Sequence, residues 1–401
     1  MRLLFVKPAL LWPRTNGHDV QCYYMMRALA DEGAEVSLAT IEPTDPRAID
    51  GIRLANCAQL DRHLPTGAKG AGSLTYLQER FRSFWGVEKG HIESVRRLAA
   101  EWRADVVIAF GLPALPFLGG VDNAVRVWGM ADEWVYHHLT LVQPFDRSTW
   151  HHLKSAAIKG LYERAYAPLV DRAWAVSDTD RRAGHWLAGF RAVDLLPNGV
   201  DTDFYRPLDE SVTPRTAVFW GRLDFEPNTE ALAWFFTHVW NDVLREVPDA
   251  RFTIIGYDPT PAVRKLAELP GVTLLPNVQD LRATVCRHAL VALPMVSGGG
   301  IKNKLLEGAA MARPIICTPR AALDLRASGE LPFLKVREPG EWVQGLVSLW
   351  NDEPRRHALG RAAREWVSEY HSWATPARTA LEAFRQSIAA RSAQKGSSGS
   401  D

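Results

Sequence analysis

Short apolar β-rich runs alternate with longer helical patterns along nearly the whole chain, and this rhythm restricts the possible folds more than any other feature. Leu3–Val6, Glu35–Thr40, Asp105–Phe110, Ala124–Gly129 and Arg172–Ser177 have the character of strands. Val20–Glu32, Glu88–Trp102 and Trp150–Val170 carry helical periodicity between them, and Gly33 stops the first of these helices. Strands joined through helices of this length must run parallel, in a sheet covered on both faces. The rhythm breaks at Leu196–Pro207, where Pro-Asn-Gly signals a turn and no period follows. It then resumes with strands at Ala217–Trp220, Arg251–Ile255, Val272–Leu275, Ala289–Pro294, Pro314–Thr318 and Phe333–Val336. Helices are expected at Asn228–Val247, Pro339–Trp350, Pro354–Tyr370 and Thr375–Arg391.

A chain of 401 residues exceeds one ordinary core, so the break separates two doubly wound α/β domains. The expected division is 1–196, a linker at 197–212, and a second domain at 213–370. A C-terminal helix at 371–391 rejoins the first domain, and 392–401 is a disordered polar tail. Two such domains facing each other place a cleft between the carboxyl ends of their sheets.

Apolar residues at 47% and charged ones at 23% fit a soluble globular protein. A net charge of +1 argues against nucleic-acid binding by bulk electrostatics. Cys22, Cys57, Cys286 and Cys317 lack metal-ligand spacing and suggest buried thiols in a reducing, cytoplasmic setting. No apolar run reaches the roughly 18 residues of a membrane span. Trp150–Arg164 nonetheless interleaves Lys154, Lys159 and Arg164 with Trp150, Leu153, Ile158, Leu161 and Tyr162. Such a helix suits peripheral contact with an anionic membrane, or simply packs on its own sheet.

Ser297–Pro319 carries the strongest chemical signal. Gly298, Gly299 and Gly300 feed a helix start through Ile301, with Lys302, Lys304 and Glu307 in the first turns. Glycines permit close backbone approach, and a helix N-terminus with two lysines favours an anion such as a diphosphate. Glu307 is placed to accept hydrogen bonds from sugar hydroxyls. A solvated lysine pair on an ordinary strand–loop–helix is the alternative.

The segments Leu196–Asp201, Phe219–Leu223, Phe252–Gly256, Lys304–Met311 and Arg313–Ile316 occur in an order and spacing that resemble the family 4 glycosyltransferases of the two-domain GT-B fold. The likeness spans the C-terminal half and is looser in the N-terminal half, through the first strand, Gly17 and Asp178. The wording of Gly300–Glu307, with Phe225–Asn228, is similar to a bacterial subgroup linked to exopolysaccharide clusters. The resemblance implies a retaining, metal-independent transfer from a nucleotide diphosphate sugar to a glycan or lipid-linked hydroxyl, with no further cofactor. It assigns Arg222 and Lys304, with Lys302, to the diphosphate and Glu307 to the donor ribose. It also assigns Gly298–Ile301 to the sugar and phosphate, Gly17 to the diphosphate's other side, and Val278 to the base. Arg222 also reads as a surface arginine at a strand end, and Val278 as a core valine.

Three departures bear on this assignment. Gly299 stands where relatives often carry a glutamate that contacts the donor sugar. The segment Asp224–Asn228 lacks the lysine usually found after the phosphate arginine. Ala131 replaces an acceptor-side histidine, leaving Asp132 to orient or deprotonate the acceptor, with Glu133, His137 and His138 nearby. Asp132 also suits a helix cap. A catalytically silent sugar-nucleotide scaffold and a nucleotide-sugar epimerase of the same architecture remain open alternatives at this point.

Overall fold

The computed structural model describes residues 1–14, 17–63, 74–130, 133–142 and 148–397. The chain forms two compact units, Met1–Pro197 with Trp373–Asp401, and Asn198–Ser372.

The first unit is built on a parallel sheet of β1 (Arg2–Lys7), β2 (Glu35–Thr40), β3 (Leu54–Gln59), β4 (Val106–Phe110), β5 (Val125–Gly129), β6 (Arg172–Ala175) and β7 (Val193–Leu195). Their spatial order is β3-β2-β1-β4-β5-β6-β7, so the winding reverses between β1 and β4. Alternation along β1 shows why both faces are covered. Leu3 and Phe5 enter one apolar cluster, while Leu4 and Val6 enter the cluster on the opposite face. The helix Ala374–Ser397 closes the first of these clusters through Ala377, Leu381 and Phe384, with Trp373 stacked on Tyr24 at 5.3 Å.

The second unit carries β8 (Thr213–Trp220), β9 (Arg251–Gly256), β10 (Val272–Pro276), β11 (His288–Leu293), β12 (Ile315–Cys317) and β13 (Leu334–Lys335). The order β10-β9-β8-β11-β12-β13 is again all parallel, with its reversal between β8 and β11. In open α/β sheets of this kind, ligands bind beyond the carboxyl ends of the strands at the reversal.

Several expectations need correction. Asn198–Leu208 is not a free linker, because Val200, Tyr205 and Leu208 pack against the second unit's core. Arg364 also donates to the carbonyls of Thr202 and Tyr205, at 3.3 Å each. The C-terminal helix runs to Ser397, past Arg391 and into the expected tail, because no proline stops it there. Asn228–Val247 is two helices, Glu226–His238 and Trp240–Glu246, broken at Val239 where Trp240 turns into the core. The strands β3 and β7 lacked a sufficiently apolar pattern to be foreseen. Cys57 lies on the edge strand β3 and is exposed, while Cys22, Cys286 and Cys317 are buried.

Candidate active site

The reversal point of the second sheet brings together residues that lie far apart in the chain. At the end of β8 the backbone turns through Gly221, with φ of +146°. A Cβ there would sit 2.9 Å from Asn228 Nδ2 and 3.1 Å from Lys304 Nζ, so only glycine admits these neighbours. A Cβ on Gly256, at the end of neighbouring β9, would meet the Gly221 carbonyl oxygen at 1.9 Å. Two glycines therefore allow β8, β9 and the lysine to converge.

Asn228 ties the cluster together. Its Nδ2 donates to the Arg222 carbonyl at 2.7 Å, and its Oδ1 accepts from Lys304 Nζ at 2.6 Å. The Lys304 ammonium also lies 4.0 Å from the Phe219 ring centroid. Burial, reinforced by the charge of Lys302 and opposed by that of Glu307, pulls Lys304 down to about 7.

Glu307 follows one turn later on the helix Asn303–Ala310, and its Oε2 accepts from Trp220 Nε1 at 2.7 Å. Burial raises this carboxyl, whereas the Trp220 bond, Lys304 and the Tyr205 hydroxyl lower it. Arg222 extends from the same strand end and is about one-third exposed. Its guanidinium engages Asp224, with Nε donating to Oδ1 at 2.9 Å and Nη2 donating to Oδ2. That carboxylate takes up the fork that would match a phosphate.

Beyond β11, Gly298 and Gly300 adopt φ of +82° and +67°. Lys302 curls back over them and donates to the carbonyls of Gly298 at 3.2 Å, Gly299, and Gly300 at 2.9 Å. Lys302 thus secures the glycine loop. Ile301 is buried in the core. Ser297 Oγ donates to Glu230, linking the loop to the helix Glu226–His238. Val278 packs partly against the core, and its carbonyl accepts from the Tyr257 hydroxyl at 3.1 Å. The surroundings of Val278 are those of a packing residue.

Arg222, Lys304 and Glu307 are therefore gathered at one reversal point, with the glycine loop beside them. Asn228, Trp220 and Tyr205 were not singled out as site residues in the sequence. Asn228 appeared only within the family wording, and Tyr205 fell in the presumed linker. Gly17 belongs to the first unit, where it is exposed and opens the helix Gly17–Asp31. Asp132, with Ala131, lies outside the described residues.

At the first sheet's own reversal, Lys7 forms an ion pair with buried Asp19 at 3.1 Å. The His18 ring stacks on Trp134 at 5.7 Å, and burial beside Lys7 pulls its imidazole down to about 3. Glu133 is buried and caps the helix Trp134–Thr140, accepting from Tyr136 N at 2.6 Å. His138 Nε2 lies 2.6 Å from Lys159 Nζ, and burial with that neighbouring charge pulls His138 also to about 3. His137 meets Trp134 edge-on at 5.3 Å. Among the described residues no group of three or more His, Cys, Asp or Glu side chains could hold a metal ion.

Comparison with known families decides the identity. Glycosyltransferase Family 4 matches residues 15–204, and Glycosyl transferases group 1 matches residues 214–352. Both matches are to glycosyltransferase models, and together they cover most of the chain. Solved structures of this fold include sucrose-phosphate synthase from Thermosynechococcus elongatus, at 16% identity and a TM-score of 0.69, covering 97% of this chain and 100% of that one. TarM of S. aureus superposes at 11% identity and a TM-score of 0.70, covering 96% and 99% of the two chains. HepE of Anabaena, solved with UDP and glucose, does so at 15% identity and a TM-score of 0.65, covering 96% and 99%. No curated protein sequence matches the chain. Within this glycosyltransferase, the group 1 match spans Arg222, the glycine loop and Glu307 alike.

Proposed function

We propose that this glycosyltransferase moves a sugar from a nucleoside diphosphate donor to a hydroxyl of a glycan or lipid-linked acceptor, with retention and without a metal, in the making of bacterial polysaccharide or glycoconjugate. The observation that carries the reading is the convergence of Arg222, Lys304 and Glu307 around Gly221 at the reversal between β8 and β11.

Departure of a nucleoside diphosphate leaves negative charge on its phosphate oxygens. Without a metal, that charge must be met by cations and oriented N–H groups. Arg222 would exchange the Asp224 carboxylate for phosphate oxygens of similar geometry. Lys304, half-buried and held by neutral Asn228, would regain its full charge beside the anion. The glycine loop presents backbone with no side chain intervening, so the sugar can lie against it. Glu307 already receives one hydrogen bond from Trp220 and would take ribose hydroxyls as further donors. A carboxylate there discriminates a ribose by its paired hydroxyls. The presence of UDP and glucose in the HepE structure makes a uracil nucleotide the first to try.

The test is a panel of nucleoside diphosphates in thermal-shift assays, followed by turnover of the matching sugar nucleotides with and without a chelator. Binding to the folded state raises the melting point, so the preferred base shows the largest rise. Proton NMR of the product's anomeric centre reads retention or inversion. A protein that binds a sugar nucleotide but neither hydrolyses nor transfers it would instead be a silent scaffold.

A further inference from the structure

The first unit carries an unusual outer surface on three neighbouring helices. Tyr76–Phe84 and Ser148–Tyr166 pack together through the Phe81–Tyr162 edge contact at 5.0 Å and the Tyr166 hydroxyl donating to the Gln78 carbonyl at 2.6 Å. Arg164 Nε, on the second of these helices, donates at 2.7 Å to the Leu187 carbonyl just beyond the helix Asp178–Trp186.

Large apolar side chains point outward from all three. Tyr76 is 77% exposed, Phe84 75%, Trp150 78% and Trp186 74%. They are not scattered at random. On the first helix, Tyr76, Arg80 and Phe84 recur every fourth residue on the solvent side, while Gln78 is buried. On the second, Trp150, Lys154, Ile158 and Leu161 form one solvent-facing stripe, while Ala156, Tyr162 and Glu163 are buried. The burial pattern thereby sorts the basic amphipathic segment, since Lys159 turns in toward Trp134 at 4.2 Å.

The charges on the outer faces share one sign. Arg80, Lys154, Arg164 and Arg182 are exposed. The carboxylates of these helices are either buried or paired with a cation. Glu163 and Asp180 are buried, Glu79 pairs with Arg82 and Lys89, and Asp178 pairs with Arg181. Exposed tryptophan, tyrosine and phenylalanine mixed with cations, and no free outward carboxylate on the three helices, match the boundary between headgroups and acyl chains of an anionic bilayer. A protein partner with an ordinary mixed-charge surface would be matched by both signs of charge.

We infer that this face docks the chain onto the surface of an anionic membrane through Tyr76, Phe84, Trp150 and Trp186, with Arg80, Lys154 and Arg164 meeting the headgroups. The aromatic rings lie at the interface, the backbone stays in water, and no helix spans the bilayer. Among the described residues none is long and apolar enough to do so. This docking is independent of sugar transfer and is read without donor or acceptor.

Co-sedimentation of the full chain with vesicles of phosphatidylglycerol and phosphatidylcholine, against phosphatidylcholine alone, tests it. Binding is expected to the anionic vesicles only and to weaken as salt is raised, because the headgroup attraction is screened. The double variant Arg80→Glu, Lys154→Glu should reduce partitioning by about tenfold or more, each cation contributing about fivefold near such a surface. Trp150→Ser with Trp186→Ser should reduce it independently of salt. Melting points and nucleotide-induced shifts should stay those of wild type in both variants, since the side chains replaced are solvent-facing. Absence of binding to anionic vesicles overturns the inference, as does equal binding by the charge-reversed variant. A concentration-dependent dimer that the tryptophan variant dissociates, without vesicle binding, overturns it too and assigns the face to a second copy of the chain.

Discussion

The reversal points of the two sheets have the same topology and different electrostatics. In the second unit, Arg222, Lys304 and Lys302 surround two glycine turns, and the closest partner of Lys304 is a neutral amide. In the first, the lysine at the end of β1 is already neutralised by buried Asp19, and burial keeps the His18 and His138 imidazoles uncharged at neutral pH. One end is prepared for an anion. The other offers neutral rings and hydrogen-bonding nitrogens, a setting suited to uncharged polar groups such as hydroxyls. Parallel winding determines where a site forms, and the side chains at the strand ends determine which charge it accepts.

Substitutions at the second reversal should have the largest consequences. Arg222→Ala should lower turnover by about 100-fold, the loss typical of removing one preorganised donor from a developing anion. Unchanged turnover would remove Arg222 from the site and erase much of the contrast. Steady-state kinetics with the preferred sugar nucleotide measures it.

Lys304→Met should weaken nucleoside diphosphate binding by about tenfold or more, as expected for a lost charge-assisted contact. It also sharpens the comparison through pH. The folded lysine has its value lowered from 10.5 to about 7, so between these limits the unfolded chain binds a proton that the folded one lacks. Stability therefore rises with pH across that window, and the cost of the buried charge is present in full below it. A bound diphosphate restores the charge, so binding near pH 8 should take up a proton. Calorimetry in two buffers of different ionisation enthalpy reads this uptake, and it should vanish in Lys304→Met. Proton uptake that persists in the variant would assign the effect elsewhere.

Gly221→Ala adds a methyl group against Asn228 and Lys304 in a strained backbone region. A destabilisation of about 1–3 kcal/mol is expected, lowering the melting point by several degrees. Nucleotide binding should weaken as well, because the same atoms hold the lysine. A variant as stable as wild type would show that Asn228 and Lys304 can shift away from the end of β8.

The smallest effect belongs to the first reversal. His138 is lowered from 6.5 to about 3, so as pH falls through 6.5 the unfolded chain takes up a proton that the folded chain refuses. Stability contributed by keeping the ring neutral is lost progressively below pH 6.5. His138→Gln should flatten that part of the pH–stability profile, measured by denaturant midpoints, while leaving neutral-pH stability little changed. An unaltered profile would mean that the two reversals are less different electrostatically than their contacts imply.

Much of the fold could be read in the sequence because parallel strands buried on both faces appear as continuous apolar runs, as at β4 and β11. The edge strand β3 escaped because half its residues face solvent and, after Leu54, its side chains are small or polar. At the site, Arg222, Lys304 and Glu307 were legible because glycines and charges mark strand ends in a recognisable order. Their supporting residues were not. Asn228 gives no sequence signal that its amide bridges a carbonyl and a lysine 76 positions away. Tyr205 reads as part of an aperiodic turn, although it packs on the second core.

By itself, the sequence determined the two alternating α/β units, the glycine loop after β11, and the chemical types gathered there. These depend on local periodicity and on residues whose backbone freedom or charge is intrinsic. Tertiary structure alone decided that Lys302 holds the loop's carbonyls, that Asp224 takes the fork of Arg222, and that Lys304 sits on Asn228 with a depressed affinity for its proton. It also decided which face of Ser148–Tyr166 meets water. Each of these depends on distance and burial between elements, and those are fixed only when the strands are brought side by side.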